Sequence, residues 1–138
     1  KDYWEKFSIG PWDVRHFTPQ KVRNFFVGGK PITEGFEFIC AVTWNKDMEI
    51  ELIQPVRGQT FIEQNSSRFH HIKDVFSDKK ITEEKKRLES YGIEAMQTGW
   101  IDDDSHYYMS TEKFLDMILE FGNSGKIGTP DYIYFQKY

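Results

Sequence analysis

The chain has 138 residues, 38% hydrophobic and 17% aromatic, which is enough for one buried core and too few to expect two independent domains. A formal charge of -4 with no dense Lys/Arg run argues against a surface that neutralises many phosphates, and no apolar stretch reaches the roughly 20 residues of a membrane span. Neither nucleic acid nor a membrane is an expected partner, and a single cysteine, Cys40, excludes an intramolecular disulfide framework and fits a reducing, cytoplasmic compartment.

Lys1 to Phe7 reads as the last turns of an amphipathic helix closed by Gly10-Pro11. Trp12 to Phe17 is a short strand, and the stretch on to Gly35, with Pro19, Gly28-Gly29 and Pro31, reads as a long loop. Phe36–Trp44 and Met48–Pro55 are strands of a hairpin turned at Asn45-Lys46-Asp47, and Cys40 sits in the first as a small buried hydrophobe. Val56 to Arg68 has the composition of a connecting loop. Phe69–Phe76 is then a strand, Ser77-Asp78 opens a helix over Ile81–Tyr91 that stops at Gly92, and strands follow at Ile93–Thr98, Ser105–Ser110 and Phe114–Phe121.

The second half thus reads strand, helix and three strands, and the first half repeats that order without its opening strand. The expected fold is α+β: one domain over 1–138 made of paired βαβββ modules at 1–56 and 68–122, with a tail at 123–138. If the modules align at Gly10-Pro11 and Gly92, the first-module counterpart of His71 falls upstream of Lys1.

Side chains alternate faces along a strand, so Glu51 points away from Ile50 and Leu52, and Glu120 away from Leu119 and Phe121. An ionised glutamate in an apolar strand is costly to bury unless it is paired or bound to a cation. Of His70-His71, only one can share a face with the carboxylates. A histidine with carboxylates suits Zn, Ni, Co, Mn or Fe and does not choose among them. Two solvent-facing carboxylates on a half-exposed sheet produce the same alternation, so the pattern alone leaves both readings open.

Met48-Glu-Ile-Glu-Leu-Ile-Gln-Pro55, Phe61-Ile-Glu-Gln64, Phe69-His-His-Ile72, Gln97-Thr-Gly99, His106-Tyr-Tyr108 and Ile118-Leu-Glu-Phe121, in this order, resemble the glyoxalase and methylmalonyl-CoA epimerase branch of the vicinal-oxygen-chelate superfamily. Tyr3 to Trp12 is similar to the end of that family's first helix. The resemblance implies a cup-shaped mixed sheet around a divalent metal, with His71, Glu120 and Glu51 as ligands. A fourth ligand would lie on the strand upstream of Lys1, and Asp116 stands where many relatives have glycine.

It further implies a metal-dependent lyase or isomerase that moves a proton alpha to a carbonyl through an enediolate, with Glu51 or Glu120 as base and Glu37 as a third candidate. The substrate would be a small carbonyl compound, a thioester or a glutathione conjugate. Trp12, Trp44, Trp100, His106 and Tyr108 are candidates to wall the pocket, and Lys126 in the glycine-rich tail is expected in solvent. Two alternatives are a metal-free small-molecule binding or resistance protein using the same cup, and a ring-cleaving dioxygenase with two histidines and one glutamate. Pairing of subunits in the superfamily implies a homodimer.

Overall fold

The computed structural model describes residues 2–58, 60 and 69–135. Helix α1 (Asp2–Phe7) leads into β1 (Trp12–Phe17), then come β2 (Val22–Val27), β3 (Lys30–Pro31), β4 (Glu37–Asn45) and β5 (Met48–Arg57). β6 (His71–Val75), α2 (Asp78–Glu89), β7 (Ala95–Ile101), β8 (Asp104–Met109), α3 (Glu112–Leu115), β9 (Ile118–Gly122) and β10 (Tyr132–Tyr134) complete the chain. The fold is α+β and dominated by strands in two sheets that do not close into a barrel. One sheet runs β10-β1-β4-β5 and the other β3-β2-β7-β8-β9-β6. All the pairings are antiparallel except β6 with β9. Among the described residues no helix is long and apolar enough to cross a membrane.

Two expectations need correction. The stretch from Thr18 to Gly35 is not only loop, because β2 and β3 form a hairpin there that pairs with β7. Its alternation is hidden by a bulge: Asn24 takes φ 49° and the register with β7 shifts between Arg23 and Phe26, so Val22, Phe25 and Val27 are buried out of phase. The strand expected over Phe114–Phe121 is split. Phe114 belongs to α3, which ends on Asp116 at φ 54°, a left-handed conformation that glycine adopts freely and aspartate tolerates, and β9 starts only at Ile118. In the loop expected over Val56–Arg68, Val56 and Arg57 still belong to β5, and 59 and 61–68, with the Phe61–Gln64 motif, lie outside the described residues.

Where local chemistry was unambiguous, the element forms as its residues dictate. Ser77 caps α2 by accepting from the Lys80 N–H at 3.3 Å, and Ile81 and Leu88 face inward. Two cores result. Phe17, Phe25, Phe36, Phe38 and Cys40 pack with Ile101 where the sheets face each other. Leu88, Ile93, Met109 and Phe121 join α2 to the outer side of the six-stranded sheet. Phe36 and Phe121 are almost wholly buried, and truncating either to alanine would cost about 3–5 kcal/mol.

Candidate metal centre

Register explains why distant residues meet. In the four-stranded sheet Glu51 sits opposite Val42, on the face that also carries Cys40 and Arg15. In the six-stranded sheet Glu120 is flanked by Lys73 of β6 and Tyr108 of β8, with His71 two residues before Lys73 on the same face. The two faces look at each other. His71 Nε2 stands 3.2 Å from Glu51 Oε2 and 3.2 Å from Glu120 Oε2, and one ligand atom from each residue lies within 4.8 Å of the others. This buried group could hold a metal ion.

The other carboxylate oxygen of Glu120 is already engaged. Its Oε1 lies 2.7 Å from His106 Nδ1 and 3.7 Å from Lys73 Nζ, and Lys73 also donates to both Asp104 oxygens at 3.3 and 3.2 Å. His106 Nε2 is 3.0 Å from Asp104 Oδ2 but off the line that a hydrogen bond requires, so that contact is mainly Coulombic. Glu120 is therefore fixed with Oε2 alone turned to His71. His71 is held from behind, since its Nδ1 is 3.0 Å from His70 Nδ1; when His70 accepts there, the Nε2 lone pair is free to face the carboxylates.

Without a cation, a proton balances the cluster. Burial opposes a charged His71, but hydrogen bonds to Glu120 and Glu51 outweigh it and raise its pKa to about 9. His106 is also raised to about 9, burial again being overcome by Asp104 and Glu120. Burial favours neutral Glu120, yet His106 and His71 hold its carboxyl well below the usual range. The three carboxylates Glu51, Asp104 and Glu120 thus face the three cations His71, Lys73 and His106. Burial first and the Glu120 and Glu51 charges second keep the Tyr108 phenol neutral, and burial and Glu51 push the Cys40 thiol up, which leaves it inert.

A small cavity of about 50 Å³ opens between the sheets beside this cluster; Glu51, His106 and Tyr108 are in its wall. Trp44 and Trp100 are not. Trp44 is 64% exposed near the β4–β5 turn, and Trp100 alternates away from Gly99 and Ile101, which line the cavity. Trp12 is buried edge-on to Tyr3. Glu37 pairs with Arg57 at 3.1 Å, away from the cluster, and Lys126 is exposed. Sequence reasoning passed over Lys73, Asp104 and Arg15. A signal for the first two was present, because alternation puts Lys73 on the face of His71 and Asp104 on that of His106.

Compared with protein-family models and with curated proteins, the chain matches none.

Proposed function

We propose that this protein is a divalent-metal-dependent lyase or isomerase that transfers a proton alpha to a carbonyl, and that its sheets are the paired βαβββ modules of the vicinal-oxygen-chelate family it resembles. One observation carries the reading: Glu51, His71 and Glu120, from three strands of two sheets, converge on one point at the edge of an apolar cavity. The donor set fits a metal. One imidazole nitrogen and two carboxylate oxygens with open positions suit Zn, Ni, Co, Mn or Fe, and a cation there would supply Lewis-acid polarisation of a substrate carbonyl.

The protein's own residues divide the remaining work. Glu120, with Oε1 tied to His106 and Lys73, serves as the fixed ligand. Glu51 is freer: its side chain is 24% exposed and lines the cavity. Glu51 is the base. The carbon–hydrogen bond breaks, its electron pair moves towards the carbonyl oxygen, the proton passes to a Glu51 oxygen, and its return sets the product. Neutral Tyr108 adds an O–H on the same wall. Among the described residues β5 is the last strand of its sheet, which supports including a homodimer in the proposal, and an inert, buried Cys40 suits a reducing cytoplasmic setting.

The test is hydrogen exchange. Metal-loaded protein in D2O is incubated with the glutathione hemithioacetal of methylglyoxal or with a 2-methyl acyl-CoA ester, and deuterium at the reacting carbon is read by NMR. Glu51→Gln keeps an amide oxygen that can ligate the cation but cannot take up a proton, so it should retain metal and lose at least about a hundredfold in exchange rate, the usual contribution of a positioned base. Exchange that is unchanged in Glu51→Gln, or absent with both substrates, would count against the reading. A second reading, a metal-free binding protein, draws on the balanced charge of the cluster, three against three with no cation added. The ring-cleaving alternative has less support, since the metal-capable group among the described residues has one histidine.

A further inference from the structure

The cavity holds a second charged feature that the metal centre does not use. Arg15 lies opposite Cys40 in the register of β1 and β4, and its side chain, 16% exposed, lines the cavity. Its Nη2 donates to the Gly128 carbonyl at 3.1 Å and lies 3.9 Å from Asp13 Oδ2, a carboxylate that is itself half in water. Its Nε is buried and has no hydrogen-bond partner among the described residues. A buried N–H of a guanidinium left unmade is costly, and nearly every other buried polar group in a fold finds a partner.

We propose that Arg15 is the carboxylate-binding end of this cavity, and that the protein takes monocarboxylic acids with an apolar body. The guanidinium fork is the side chain best matched to a carboxylate, it lines the cavity, and its Nε–H, unpaired and closed off, needs a small turn of the side chain to meet a ligand oxygen. Phe17, Phe25, Phe38, Val22, Ile101 and Ile127 make most of the remaining wall apolar, with Gln97, His106 and Tyr108 its polar groups, which selects an aryl or alkyl body. Glu51, in the same wall, repels an anion and so fixes the direction of binding: the carboxylate goes to Arg15, and the other end of the ligand goes to Glu51, His71 and Glu120. The assignment of that other end to a reacting carbonyl rests on the proposed enzyme reading. The carboxylate subsite itself rests on the cavity and not on the cation.

The probes are matched pairs that differ only in charge, 4-phenylbutyrate with 4-phenylbutanamide and octanoate with octanamide. They are titrated calorimetrically into chelator-treated protein, so that a carboxylate cannot score by binding a metal. We expect at least one acid to bind tenfold or more tightly than its amide, Arg15→Gln to abolish that preference while leaving amide binding in place, and Arg15→Lys to keep part of it. Equal binding of acid and amide, binding of none of the four, or a preference that survives in Arg15→Gln would overturn the subsite. Thermal melts check that both variants fold, and if only Arg15→Lys does, its reduced acid preference against the intact protein is the deciding comparison. Acid preference in a protein that takes up no metal on later supplementation would leave the subsite standing and sink the enzyme reading alone.

Discussion

Raising the pH from 6 to 9 should tighten cation binding by about five hundredfold, because His71 must lose a proton before its nitrogen can act as a ligand. The sign follows from the raised pKa. With the metal-free value at about 9, His71 is protonated through the neutral range, and each unit below 9 lowers the apparent affinity about tenfold. Above 9 the curve should flatten. Glu120, held well below the usual carboxylate range, stays ionised throughout and adds no slope, and one proton should leave per cation bound. Zinc titrations against a competing chelator between pH 6 and 9, repeated in buffers of different ionisation enthalpy, read both the slope and the proton release. An affinity that is flat with pH, with no proton released, would refute the idea that a proton on His71 stands in for the cation.

The same proton governs stability when metal is absent. His71 contributes fully below its unfolded value of about 6.5 and the contribution is lost as pH rises through about 9, a loss of about 3 kcal/mol for His71 and its carboxylates counted once; urea melts in chelator at pH 6.5 and 9.5 should differ by at least that order, since His106 is raised to about 9 as well, and His71→Ala should shrink the difference by the His71 share. Thr111 is buried, donates from Oγ1 to the Met117 carbonyl at 2.9 Å and accepts from the Leu119 N–H at 2.8 Å. Thr111→Val leaves both unpaired and should cost about 1–3 kcal/mol in urea unfolding, with no change in acid binding at Arg15. At Gly122 an added Cβ would lie 2.2 Å from Lys73 Cε and 2.5 Å from the Ser105 carbonyl, so Gly122→Ala must displace the backbone of β8 or the lysine that steadies Glu120. It should lower both the melting temperature and the cation affinity; retention of both would mean that the β8–β9 spacing is looser than described.

Much of the candidate centre was legible because strand alternation is a local rule. It set Glu51 and Glu120 on one face of their strands and let only one of His70 and His71 join them, the choice of His71 coming from the family resemblance, and the strands need only face each other for the three to meet. The hairpin at Val22–Pro31 was not legible, since the bulge at Asn24 breaks the period on which the rule depends. Asp116 misled for a related reason: one left-handed residue turned a continuous apolar run into a short helix and a strand. Lys73 and Asp104 read as ordinary charged strand residues, because their value comes from cross-strand neighbours that only register reveals. Arg15 was hidden in the same way, its inward direction becoming evident only when β4 and β7 close the cavity around it. Trp44 shows the opposite error, an aromatic next to a turn whose size suggested a pocket wall and whose position leaves it in solvent.

The central claim is that His71, Glu51 and Glu120 hold a divalent cation, and metal content tests it most directly. Protein purified, supplemented with zinc or manganese, desalted and subjected to elemental analysis should carry about one cation per chain, and His71→Ala and Glu120→Ala variants with an intact far-ultraviolet spectrum should carry almost none. An intact protein that retains no cation after supplementation, or variants that retain as much as the parent, would contradict it.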